Sequence, residues 1–289
     1  MPVATAVVDQ GLVGRSLASL SACLVILLAA CAPAQRLDSL AGKYGFERDV
    51  VKGAHFQLVT YRNQARERTG ALLHVYLEGD GLPWRTRYEV SWDPTPRDPL
   101  ALRLMDEDPA PSVYLGRPCY DGQAASTGCG PYMWTDGRYG PEVVSSMQAA
   151  LAHLLARSDY GGVVLIGYSG GGTLAKLLAP RVPQTRAVIT VAGNLDPARW
   201  ARLHRYSPLQ GSLNPADEPP LDSRIRQVHY VGSLDRNVPP SIVRAVVRDQ
   251  PNAAVVVIHG FDHRCCWEAA WPTILKSFDD GTSSKRPVQ

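Results

Sequence analysis

Apolar runs of strand length recur along the chain at 55–61, 72–77, 112–115, 163–166, 187–191, 228–231 and 254–258. Several are continuously apolar and β-branched, Val163-Val164-Leu165-Ile166 above all, and such a run suits a strand covered by hydrophobic layers on both faces. Between the runs the apolar spacing becomes helical. After Pro141, the residues Val143, Val144, Met147, Ala150, Leu151 and Leu154 keep an i, i+3/i+4, i+7 stripe, and Ile242, Val243, Val246 and Val247 repeat it after Pro239-Pro240. This alternation predicts an α/β architecture: a mostly parallel central sheet with helices on both faces. Two stretches break the rhythm. Residues 78–111, rich in Gly and Pro, read as loop with a short helix at 100–105, and 199–223 reads as a small excursion, with no large cap domain.

Composition narrows the class. The chain has 289 residues, 45% hydrophobic and 20% charged, enough apolar material for a substantial core. A disordered chain, a polytopic membrane protein and a disulfide-dense miniprotein are thereby excluded. The 30 Lys and Arg and the 27 Asp and Glu are scattered without long runs, so nucleic acid is not an expected partner.

The N-terminus reads as an export segment. No charge occurs at 16–35, Arg15 stands just before, and the richest apolar part is 24–28. It ends in Leu28-Ala29-Ala30-Cys31, which resembles the lipobox of bacterial lipoproteins. That resemblance implies cleavage before Cys31 and lipidation of its sulfur, each acyl chain adding roughly 0.8 kcal/mol of membrane binding per buried CH₂. An uncleaved anchor and an ordinary secretory signal are the competing readings. With Ala rather than Asp at position 32, the sorting pattern of such lipoproteins implies a lipid-anchored protein of the bacterial envelope, at the outer membrane. The expected organisation is a signal peptide at 1–30, a lipidated N-terminus and tether at 31–52, the main domain at 53–278 and a flexible tail at 279–289. Residues 32 to about 52 are mixed and weakly patterned, and suit a short tether or a first edge element.

The chemical signal lies at Gly167-Tyr168-Ser169-Gly170-Gly171, a G-x-S-x-G pattern. A buried-strand run precedes it and the helical stretch 173–179 follows, so the serine sits on a strand-to-helix turn. A phosphate-binding glycine loop is the alternative, but the Lys of a Walker loop and the G-x-G-x-x-G spacing are both missing. From about 72 to 276 the chain resembles the α/β-hydrolase superfamily, whose functional residues follow in the order nucleophile, acid, histidine. The resemblance implies Ser169 as nucleophile, Asp235 after the run 228–231 as orienting acid, and His263 after the run 254–258 as general base and acid. A serine hydroxyl is a poor nucleophile alone. An imidazole must take its proton, and a carboxylate must fix the tautomer and stabilise the imidazolium. His259, Asp196 and Asp262 are the rivals for these roles.

The same resemblance implies an oxyanion hole. Gly170 N–H is one donor; the other comes from Glu78-Gly79-Asp80-Gly81, where many relatives carry His-Gly, and the choice lies between Asp80 and Gly81. Beyond Cys23 and Cys31 there remain Cys119, Cys129, Cys265 and Cys266. A bridge between Cys119 and Cys129 across a Gly- and Ser-rich loop is expected, leaving Cys265 and Cys266 free or vicinally bridged. No Cys or His spacing matches a metal site, and neither metal nor cofactor is expected. Trp84 and Trp134 are candidates for the walls of an acyl pocket. The expected activity is cleavage of a small-molecule or lipid-like carboxylic ester through an acyl-serine. Acyl transfer or amide hydrolysis by the same triad is an alternative, as is a catalytically silent binding module.

Overall fold

A strand that is apolar at every position needs a hydrophobic layer on each face. The computed structural model describes residues 33–65 and 69–281 and meets that need strand by strand. β3 (Leu72–Leu77) sends Leu73, Val75 and Leu77 into one core and Tyr76 into the other, while β5 (Gly162–Tyr168) divides Val163 and Leu165 from Val164 and Ile166. The expected signal peptide 1–30, Cys31 and the tail from 282 lie outside the described residues.

Among the described residues, eight strands form one sheet. Its order is β1 (Glu47–Lys52), β2 (Gln57–Arg62), β4 (Ser112–Leu115), β3, β5, β6 (Thr185–Val191), β7 (Arg226–Gly232) and β8 (Ala253–Ile258). β1 pairs antiparallel with β2, and β2 antiparallel with β4; every other pairing is parallel. α3 (Pro141–Ala156) and α4 (Gly170–Leu178) cover the face of Leu73 and Val163, and α6 (Pro240–Val247) packs on Val231, Val255 and Val257 of the same face. α1 (Pro33–Lys43), α2 (Leu100–Asp106) and α7 (Trp267–Asp279) cover the other. Between β6 and β7 stand only α5 (Pro197–His204) and a short 3₁₀ turn at Pro215–Asp217, so the excursion is small.

Residues 33–52, read in part as a tether, belong instead to the folded layer. α1 buries Leu37 and Ala41, and Tyr61 of β2 donates from its hydroxyl to Asp38 Oδ1 at 2.5 Å. About half of α1 is polar, and one apolar stripe suffices for a helix that touches the protein on one side.

The tryptophans span the range from buried to exposed, with Trp200 half-buried. Trp134, Trp267 and Trp271 are buried, and the indole N–H groups of Trp134 and Trp271 donate to Ser91 O and Tyr76 Oη at 3.0 Å each. Trp134 is therefore a packing residue, not a pocket wall. Cys119 and Cys129 are bridged, with Cα atoms 5.4 Å apart and a separation of 10 residues. Within their loop, Asp121 is buried with neither carboxylate oxygen hydrogen-bonded, and burial pushes its carboxyl up to about 8.

Two outcomes follow for stability. The Cys119→Ser/Cys129→Ser variant should lose about 3 kcal/mol in urea unfolding, the chain-entropy value for a loop of this length. Asp121 holds its proton in the fold at pH values where the unfolded chain has released it. Its contribution is therefore complete below the ordinary carboxylate range and is lost as pH rises to about 8. Asp121→Asn should flatten that decline; an unchanged pH profile would show that the carboxyl is not held neutral.

Candidate active site

β5 ends and α4 begins within one residue of each other, and Ser169 is that junction. Its backbone adopts φ 51° and ψ −118°, which a non-glycine residue tolerates only when its surroundings enforce it. Ser169 N–H donates to Val191 O at 3.0 Å, while its carbonyl accepts from Asn194 N–H at 2.9 Å and Gly172 N–H at 3.0 Å. The glycines permit the close approach this turn needs. A Cβ on Gly167 would overlap the Gly171 carbonyl, and one on Gly171 would overlap the carbonyl of Leu77 on the neighbouring strand.

The structure brings Ser169, His263 and Asp235 into one hydrogen-bonded chain. His263 Nε2 lies 3.0 Å from Ser169 Oγ, and its Nδ1 lies 2.8 Å from Asp235 Oδ2. The Asp235 side chain is fully buried, and its Oδ1 accepts the N–H groups of Asn237 and Val238 at 2.8 Å each. Those bonds fix the carboxylate by the turn after β7. Tyr168 backs the imidazole, with ring centroids 5.4 Å apart. The His263 loop is shaped by Asp262, whose Oδ1 accepts from Arg264 and Cys265 N–H and whose carbonyl accepts from the Trp267 indole at 3.1 Å. Those two backbone donors lower the Asp262 carboxyl. Cys265 and Cys266 are bridged to each other in the same loop, the second of the two states the sequence left open.

The rivals stand elsewhere. His259 is exposed at the end of β8, outside the group. Asp196 caps α5, accepting from Arg199 N–H at 2.9 Å and from the Asn214 side chain at 3.2 Å. Asp262 is the turn former just described.

Opposite Ser169 runs the loop after β3. The N–H groups of Gly170, Asp80 and Gly81 donate to no protein acceptor among the described residues. Glu78 is buried, and its two oxygens accept Gly79 N–H at 2.9 Å and Ala101 N–H at 2.8 Å, tying the loop to the first turn of α2. Burial raises its carboxyl to about 7 against the pull of those two amides.

The Asp80 side chain was invisible to sequence reasoning. Its carboxylate accepts from Arg117 Nη1 at 2.9 Å, from Arg138 Nη1 at 3.0 Å and from the Tyr139 hydroxyl at 2.6 and 2.7 Å. Burial works to raise this carboxyl, but the two guanidinium groups outweigh it and hold it below its ordinary range. Arg117 also donates from Nη2 to the Glu78 carbonyl at 2.9 Å. The only sequence hint was positional, since Arg117 follows a strand end and Tyr139 precedes a helix start. Among the described residues no cluster of three His, Cys, Asp or Glu side chains is placed to hold a metal ion.

No protein-family model and no curated protein matches the chain. Solved structures superpose on it at low sequence identity. A membrane phospholipase A, described as a bacterial virulence factor, shares 17% identity with a TM-score of 0.56 over 93% of this chain and 98% of its own. A serine hydrolase without a lid from Xanthomonas campestris shares 13% at a TM-score of 0.54, over 84% of this chain and 96% of its own. A serine hydrolase homologue from Coxiella burnetii shares 16% at 0.53, over 81% of this chain and 96% of its own. The protein has the α/β-hydrolase fold.

Breaking one partner of a buried ion cluster costs about 3–5 kcal/mol, because the remaining charge stays buried. Arg117→Met should therefore lower unfolding stability by about that much. Arg224→Ala, which removes an exposed pair with Asp222, should leave the urea midpoint unchanged.

Proposed function

We propose that the protein is a serine hydrolase that cleaves carboxylic esters through an acyl-Ser169 intermediate. The observation that carries this reading is the unbroken hydrogen-bond chain Ser169–His263–Asp235 at the end of the sheet. As Ser169 Oγ forms its bond to the substrate carbonyl carbon, its proton passes to His263 Nε2, and Asp235 stabilises the imidazolium through Nδ1–H. The carbonyl oxygen becomes an oxyanion held by the N–H groups of Gly170 and Asp80. Asp80 is preferred to Gly81 because its carboxylate packs against Gly170, whereas Gly81 is exposed and turned toward Pro94 and Pro96. Collapse of the adduct breaks the ester C–O bond, and His263 returns the proton to the departing alcohol. Water then attacks the acyl-enzyme by the same route, regenerating Ser169. No cofactor enters the scheme.

An ester is favoured over an amide by the near full-length likeness to a membrane phospholipase A. The lipobox-like Leu28-Ala29-Ala30-Cys31 supports attachment through a lipidated Cys31 in the bacterial envelope, on the outer membrane. Inhibition of lipoprotein signal peptidase in producing cells is expected to accumulate the precursor; unchanged processing overturns the anchor.

A fluorophosphonate probe should label the wild type and not Ser169→Ala. Asp235→Asn should lower kcat for a short-chain ester by about 10³- to 10⁴-fold, while Asp196→Asn and His259→Gln retain wild-type turnover. A folded wild type that resists the probe would instead mark a binding module.

A further inference from the structure

Single exposed apolar residues are ordinary on protein surfaces, but here their distribution is one-sided. Among the described residues, the exposed large hydrophobic side chains are Trp84, Tyr88 and Trp92 after β3, Tyr132 after β4, Leu203 and Tyr206 after β6, and Leu234 after β7. All stand on segments that leave the carboxyl ends of parallel strands, the sheet edge that carries Ser169. Tyr88 and Trp92 are the most exposed, at 85% and 75%.

Positive charge is interleaved with them. Arg87 adjoins Tyr88, Arg202 and Arg205 bracket Leu203, Arg236 lies two residues from Leu234, and Arg264 follows His263; all are exposed. None of these five forms an ion pair with a carboxylate among the described residues. Of the acidic groups on the same loops, Glu89, Asp98 and Glu218 are paired with Arg85, Arg103 and Arg181, while Asp136, Asp217 and Asp262 are exposed without an ion pair among the described residues. The edge therefore offers aromatic rings and exposed guanidinium groups free of ion pairs together, the combination that seats at the headgroup level of an anionic bilayer.

The chain also enters the fold at this edge. Ala34, in the first turn of α1, lies against Gly122 of the loop after β4; a Cβ on Gly122 would be 3.4 Å from that of Ala34. The 32 residues before α1, Cys31 among them, thus join the described fold on the side that carries Ser169.

We propose that the carboxyl-edge crown is a docking surface for an anionic lipid bilayer, which turns Ser169 toward the membrane and supplies amphipathic esters from the lipid phase. The supply of substrate rests on the reading of Ser169 as an ester hydrolase; the docking does not. Bound this way, Trp92 and Tyr88 sit among the headgroups, and the arginines contact lipid phosphates.

The test uses the full-length chain with vesicles of phosphatidylcholine alone or of phosphatidylethanolamine with phosphatidylglycerol, each containing lipid brominated near the headgroup end of the acyl chain. On the anionic vesicles tryptophan emission should be quenched, and Trp92→Phe should lose most of that quenching. In a chain that begins at residue 31 with Cys31→Ser, and so keeps every described residue without the apolar leader, Arg87→Gln and Arg202→Gln should each weaken binding to anionic vesicles by roughly fivefold, as raised salt should also do. Turnover of a soluble short-chain ester should stay at the wild-type level in the Trp92, Arg87 and Arg202 variants, which reads the hydrolase assignment separately. A chain that floats with the vesicles while its tryptophans escape the bromine overturns the docking and leaves the anchor standing. Crown substitutions that dissolve a dimer in vesicle-free solution without altering vesicle binding overturn it in favour of a second copy.

Discussion

At Ser169 the backbone must turn from a central strand into a helix with no intervening loop, and the positive φ this demands costs of order 1–3 kcal/mol. The cost is met by position. β5 is paired with β3 from Gly162 to Gly167 and with β6 from Val163 to Tyr168, so the chain is held up to the turn. The carbonyl of Ser169 then takes Asn194 N–H, which locks the turn to the end of β6. The result is an Oγ held at the carboxyl edge at a fixed height. Since β7 and β8 run parallel to β5, the turns that follow them reach the same edge, and Asp235 and His263 need only short loops to meet it.

An imidazole–carboxylate pair by itself does not make such a site, and the protein contains the control. His74 and Asp108 also pair, at 2.6 Å, with Tyr76 donating to the same carboxylate oxygen and Trp271 donating to Tyr76. Every member of that group is buried. Its Asp precedes β4, away from the carboxyl edge, and the hydroxyl beside it is a tyrosine already committed to the carboxylate. His263 differs in having its second nitrogen directed at a serine on a strained turn, with the ring partly open to solvent.

The sheet was legible because each buried strand is a local property: 72–77 and 112–115 coincide with β3 and β4, and 163–166 extends by a residue or two at each end into β5. The meeting of Ser169, Asp235 and His263 was legible because topology carries strand-end residues to one edge once the order is known. Three features were not. α1 and β1 carry too few apolar residues to stand out. The vicinal bridge of Cys265 and Cys266 depends on loop conformation alone. The Asp80 cluster joins side chains 37, 58 and 59 positions apart, and no periodicity encodes such contacts.

That cluster also gives a glutamate at position 78 a use that a histidine there could not serve. A histidine at position 78 could accept at most one amide through a ring nitrogen, whereas Glu78 accepts two, from Gly79 and from Ala101. Arg117 then spans the gap from the Glu78 carbonyl to the Asp80 carboxylate, and Arg138 and Tyr139 hold that carboxylate from its other sides. The loop is thus clamped at both ends of Gly79, which leaves the Asp80 amide little freedom to rotate. Donors that are oriented before charge develops need no reorganisation when it does. A buried ion cluster is a poor way to gain stability, since desolvation offsets most of the attraction, but it is an effective way to fix one backbone amide beside Ser169.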